Sequence, residues 1–281
     1  MSLPNNLKAT LTGTIQNRRG MAMIWLLFAS FLLLFLINFG VKTNLGYTQM
    51  MWLVLSACVT ILSILILVKI GLPEKNQVII SFVFGLLMFL AYQGVSFTAF
   101  KTFLVTFFCS LASFRIFEKY NDYSLNFLRS TTLRSAVGSV IIGLVFGLVL
   151  GVINLFLAQE TLVLQFSLSA ILAALSPAIY EEIALRAFIY AFCLYLLKGT
   201  ITSKAEGFTC YWMMIVPHAM IHTPDQFVQY DFVSGLISII LLSLLFGLPF
   251  ALLQKKRDIT SAMIAHGVVV LIRFIFLGLP Y

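Results

Sequence analysis

The sequence predicts an all-α fold, a polytopic transmembrane helical bundle of about eight or nine spans at roughly 20 residues each, with a polar intramembrane cavity in its C-terminal half. Three observations carry that expectation. Hydrophobic residues make up 61% of the 281 residues and charged residues only 10%, where soluble domains carry about 25% charged residues, and the mean hydropathy is +1.03. Apolar runs of membrane-crossing length recur along the chain, near residues 21–40, 50–69, 78–92, 97–114, 136–157, 167–197, 208–222, 232–252 and 259–277. Inside the sixth run, at Ser176 to Arg186 (S-P-A-I-Y-E-E-I-A-L-R), sit Glu181, Glu182 and Arg186. An ionisable group in a span costs roughly 2.5–3.5 kcal/mol on insertion scales, so such a cluster marks a functional site by default.

The remaining runs fill in the bundle. The first 20 residues are polar and basic, and the span after them lacks an A-x-A-like exit, so no cleavable signal peptide is apparent. The third run is short enough to be re-entrant. The sixth is long enough to tilt, or to break at Pro177, where a helix loses a backbone hydrogen bond. Cys58, Cys109, Cys193 and Cys210 lie in or beside apolar stretches without C-x-x-C spacing, which gives neither a disulfide framework nor a thiolate metal site.

Charge orients the bundle. With the N-terminus cytoplasmic, every Lys and Arg except Lys42, Lys101, Arg186 and Arg273 falls on the cytoplasmic side, which supports an odd number of spans. Basic loops against an anionic leaflet also account for the net charge of +8 without nucleic acid. Lys101 snorkels to the interface. The organisation read from this is a cytoplasmic N-terminus at 1–20, N-terminal transmembrane helices at 21–117, a basic cytoplasmic linker at 118–135 and a C-terminal unit at 136–281. All three histidines and both acids of the sixth run follow the linker.

On a helix Glu182 and Arg186 are four apart and pair on one face, while Glu181 is rotated by about 100°. One acid then neutralises the arginine and the other is left for general acid/base work. The alternative reading is that the three charges form a buried ionic staple between helices. His218 and His222, four apart in W-M-M-I-V-P-H-A-M-I-H-T-P-D, could ligate a metal, or one could work while the other bonds a neighbouring helix. His266 lies in the last span with Arg273 seven residues later on roughly the same face, and could simply partner an acid or a carbonyl.

Pro177 to Arg186 resembles the E-E-x-x-x-R signature of the CPBP family, the CAAX proteases and bacteriocin-processing enzymes also called Abi. The order Glu181, His218/His222, His266 is similar to that family's three motifs, so the resemblance makes residues 136–281 a CPBP-like catalytic core. It departs twice: the second motif, F-x-x-x-H, has His218 four before His222 and Met214 four before His218, and the Asn or Asp of the third motif is Val270. The T-P-D after His222 is similar to a continuation found in bacterial members and favours His222.

The resemblance implies an intramembrane endopeptidase hydrolysing membrane-associated peptides or proteins, and the short N-terminus without a transit peptide points to a bacterial plasma membrane. Glu181 and His222 would activate a water, His266 would stabilise the oxyanion, and Glu182, Arg186 and His218 would support them. No cofactor is implied in that mechanism; the alternative is zinc on Glu181, His222 and His266. A second reading is a catalytically inactive relative acting as an immunity or regulatory membrane protein, favoured by Val270. A transporter is a third, and the lack of inverted repeats counts against it. The expected partners are a peptide or membrane-protein substrate and the lipid bilayer, with no nucleic acid.

Overall fold

The computed structural model describes residues 5–41, 47–120, 125–158 and 161–278, and Lys42 lies outside them. Among the described residues there are helices and connections and no strand. Four long helices come first: α1 (Asn5–Val41), α2 (Tyr47–Ile70), α3 (Lys75–Ala91) and α4 (Phe97–Tyr120). After the linker come α5 (Leu133–Ala158), α6 (Leu168–Ala173), α7 (Phe188–Leu196), α8 (Lys204–Ile221), α9 (Pro224–Gln229), α10 (Phe232–Leu242), α11 (Leu248–Lys256) and α12 (Ile259–Leu277). Two wide-turn segments with i→i+5 bonding, Ser176–Ala187 and Ser243–Gly247, join α6 to α7 and α10 to α11, so each set runs as one continuous rod.

Seven helices among the described residues are long and apolar enough to cross a membrane, at 17–38, 50–70, 97–120, 133–158, 168–196, 232–256 and 259–277. The other two apolar runs are α3 and α8. With 17 residues, α3 falls short of the roughly 30 Å hydrocarbon core at 1.5 Å per residue. In α8, Glu206, Pro217 and His218 are buried against protein, so this helix does not need a lipid-compatible surface.

The 168–196 rod is the centre of the bundle. Its apolar window is 67% buried, against 22% for α5, whose Leu144, Val145, Leu148 and Val149 face outward. Phe188, Tyr190 and Leu194 are among the largest side chains fully enclosed. The rod does not break at Pro177. The helix widens there, and the N–H of Phe188 reaches the carbonyl of Ile183, five residues back. A wide turn accommodates a residue without an N–H and recurs at functional sites.

Around this rod α5 and α12 lie side by side. A side chain on Gly143 would meet Ser261 and Ile264, on Gly147 Ala265 and Val268, and on Gly151 Ile272, so contacts advance in the same direction on both helices and the pair is parallel. Small residues at four-residue spacing permit this close approach. At the end where α12 begins, Asp258 caps the helix through the Ser261 N–H, and its Oδ2 accepts from the Arg129 N–H and the Ser139 hydroxyl, tying in the linker and α5. Asn17 of α1 donates to Glu206 Oε1 at 3.0 Å, joining the first helix to α8.

The α5–α12 seam sets a test. Replacing Gly147 by Leu puts a Cβ 2.6 Å from Val268 Cβ, and overpacking of this kind costs about 1–3 kcal/mol. We expect Gly147→Leu to lower the thermal midpoint and the monodisperse yield in detergent, with Leu144→Ala, on the outer face of α5, as a neutral control.

Candidate active site

The wide-turn segment carries both acids and directs them differently. Glu182 is fully enclosed and its Oε1 lies 2.9 Å from Arg186 Nε, the pair that the four-residue spacing predicts. The same oxygen accepts from His266 Nδ1 at 2.7 Å, and its other oxygen, Oε2, accepts from Gln254 Nε2 at 2.6 Å. Arg186 also donates through Nη1 to the carbonyl of Gly247 at 2.9 Å, in the second wide-turn segment. The charge of Glu182 is therefore answered by three side chains from two neighbouring rods and its own helix.

Glu181 turns to the histidines. Its Oε2 is 2.7 Å from His218 Nε2, 3.7 Å from His222 Nε2 and 3.8 Å from His266 Nε2. The two histidines of α8 are themselves 3.3 Å apart through Nε2. His218 is buried, whereas the His222 side chain is 41% exposed at the end of α8. His266 is held on its ring face by Phe250, with centroids 4.6 Å apart. The indole of Trp52 on α2 meets His222 edge-on at 4.8 Å.

These groups open onto a cavity of about 530 Å³, within the usual range for ligand pockets. Glu181, His218, His222 and His266 line it, as do Val270 and Arg273, which share the His266 face of α12. Phe246 and Phe250 give it an apolar wall. A carboxylate, three imidazoles and room for a chain segment are brought together inside a membrane bundle.

Sequence reasoning set His222 beside Glu181 and gave His218 a supporting place; the structure puts both within reach of the carboxylate, with His218 nearer. The zinc alternative grouped Glu181, His222 and His266. The three ligand atoms that lie within 4.8 Å of one another are those of Glu181, His218 and His222. Two imidazoles and a carboxylate suit Zn²⁺, whose tetrahedral ligands lie roughly 3.3 Å apart at bond lengths of about 2.0–2.1 Å. The Glu181–His218 contact would have to lengthen from 2.7 Å to admit it.

Three residues at the site were not singled out in the sequence. Gln254 ends the apolar run L-P-F-A-L-L before two lysines and reads there as an interfacial residue. Phe250 reads as core. Trp52 lies in the N-terminal half, with nothing in the sequence to link it to a histidine 170 residues on.

A family model described as type II CAAX prenyl endopeptidase Rce1-like matches residues 163–272. The match spans 110 of the 281 residues. It holds both acids, Arg186 and all three histidines, and agrees with the resemblance read from the E-E-x-x-x-R run. No curated protein and no solved structure matches the chain.

The enclosed Glu182–Arg186 pair makes its own prediction. Removing one partner of a buried ion pair costs about 3–5 kcal/mol, because the other charge is left uncompensated. Arg186→Met is expected to lose most of its folded yield, while Lys204→Met, at the exposed start of α8, keeps it. Size-exclusion profiles and melting curves of the purified variants check this.

Proposed function

We propose that this chain is a membrane-embedded endopeptidase that hydrolyses peptide bonds of membrane-associated peptides or proteins with a water activated by Glu181. The observation that carries the reading is the arrangement at Glu181 Oε2, with three imidazole nitrogens within 3.8 Å of it on a cavity large enough for a peptide segment. The Rce1-like match over the same residues supports it.

In this reading Glu181 takes a proton from a water held in the gap between its Oε2, His222 and His266, and the water attacks the scissile carbonyl. His218 fixes the carboxylate by donating from Nε2. His266 bonds Glu182 through Nδ1, so a carboxylate stands ready to balance a proton on the ring and leaves Nε2 free to donate to the developing oxyanion. Losing one such donor costs about 2.7–4 kcal/mol of barrier. Hydrolysis balances without another reactant: the water's oxygen goes to the acyl carbon, and its protons go to the new carboxyl and the leaving amine. Glu182 and Arg186 hold the helix geometry.

If zinc is used, Glu181, His218 and His222 would hold it, and it would lower the pKa of a bound water to about 7. We infer a cytoplasmic N-terminus from the Lys and Arg distribution. Val270, which lines the cavity without a polar group, favours a second reading: a catalytically inactive relative with an immunity or regulatory role.

Comparative peptidomics separates the two. Cells lacking the protein are complemented with wild type or with Glu181→Gln at matched abundance. A peptidase yields peptides with wild type that the variant does not restore, and turnover of the purified variant falls by about 10²–10⁴-fold. The same peptides from both, with both restoring the phenotype, would identify Glu181 as structural. A metal-free mechanism further predicts that chelation by 1,10-phenanthroline leaves turnover unchanged; loss of turnover, with recovery on adding Zn²⁺, would assign the reaction to the metal.

A further inference from the structure

We infer that Gln254 is a positioning residue for His266, its amide locking the carboxylate of Glu182 so that the imidazole keeps Nδ1 bonded and presents Nε2 to Glu181 and the cavity. The inference rests on the peptidase reading for its catalytic consequence and on geometry alone for its structural one.

Glu182 has two competing partners on one oxygen. Arg186 Nε and His266 Nδ1 both approach Oε1, at 2.9 and 2.7 Å. A guanidinium beside a carboxylate prefers a bidentate fork, which would use both oxygens. Rotation of the carboxylate into that fork would withdraw Oε1 from His266. Gln254 stands in the way: its Nε2 donates to Oε2 at 2.6 Å and lies 3.3 Å from the main-chain carbonyl of Glu182. One amide therefore grips the residue at both ends and fixes the plane of the carboxylate. Gln254 is 1% exposed and Glu182 is fully enclosed, so no solvent replaces that donor if it is lost.

The same helix fixes the ring a second time. Phe250 is one turn before Gln254 on α11 and on the same face, and it stacks on His266. Stacking sets the tilt of the imidazole but not which edge faces Glu182, since a half-turn about Cβ–Cγ, which exchanges Nδ1 with Cδ2 and Nε2 with Cε1, keeps the stack. The Glu182 carboxylate makes that distinction, and Gln254 holds the carboxylate. A carboxylate oxygen only accepts, so the nitrogen facing it carries a proton. With Nδ1 so engaged, Nε2 is the nitrogen 3.8 Å from Glu181 Oε2.

The experiment uses the full chain in nanodiscs, labelled with ¹⁵N-histidine, and long-range ¹H–¹⁵N spectra assigned by His218→Gln and His222→Gln. In wild type the His266 Nδ1 is protonated as a single state. In Gln254→Met, which keeps the length and removes the donor, that signal is expected to give way to a mixture of ring states. An unchanged His266 pattern overturns the inference. Should Gln254→Met fail to fold, Gln254→Asn, which withdraws the amide by one methylene, takes its place with the same expected outcome.

The kinetic arm is a double-mutant cycle on a peptide that wild type cleaves. Gln254→Met alone should lower kcat at least tenfold with KM within twofold, and should lower it no further when added to His266→Ala. An equal loss in both backgrounds overturns the inference, because Gln254 would then act elsewhere. If wild type turns over no peptide, the peptidase reading falls, and the histidine spectra still decide what Gln254 does.

Discussion

Everything at the centre of this protein depends on two adjacent carboxylates being placed in a membrane with one arginine between them. A charge that cannot reach water needs a partner, and a single guanidinium serves one acid. Arg186 goes to Glu182, and the helix that carries both is the most enclosed of the spans. Glu181 is left with imidazoles alone. Glu182 is bonded to the permanently charged guanidinium as well as to one imidazole, whereas Glu181 has imidazoles around it and no guanidinium. Neighbouring acids thus end in different surroundings, one enclosed beside the arginine and the other at the cavity.

Much of this is legible in the sequence. Composition fixes a membrane bundle, and the four-residue spacing of Glu182 and Arg186 fixes their pair. The placement of Glu181 on another face follows from the rotation per residue. The wide turn at 176–187 was not legible, because Pro177 announces a disturbance and not its form. Nor could spacing decide between His218 and His222, since both are on one helical face and the choice depends on how α8 lies against the central rod. Gln254 escaped for a different reason. A glutamine at the end of an apolar run is what an interface produces, and only its distance to Glu182 tells it apart.

Of the two apolar runs beyond the seven lipid-compatible spans, α3 is short, and the discrepancy at α8 has the same origin as these misses. Hydropathy reports what a helix shows to lipid, and α8 shows little. Helices that face protein on most sides can carry Glu206, Pro217 and His218 without penalty, provided each polar group finds a partner, as Glu206 does in Asn17 and in its own capping box.

Side chains from outside the segment that matches the family pack against residues of the site. Trp52 of α2 stands against His222, Ser56 of the same helix is 2.7 Å from the Tyr180 hydroxyl beside Glu181, and Tyr92 of α3 is 3.0 Å from Ser176. The acids and histidines therefore lie within the matched segment, while helices outside it pack behind them. Substitutions on α2 and α3 would therefore act on the posture of His222, Tyr180 and Ser176 from behind, and a comparison confined to the matched segment would not see them.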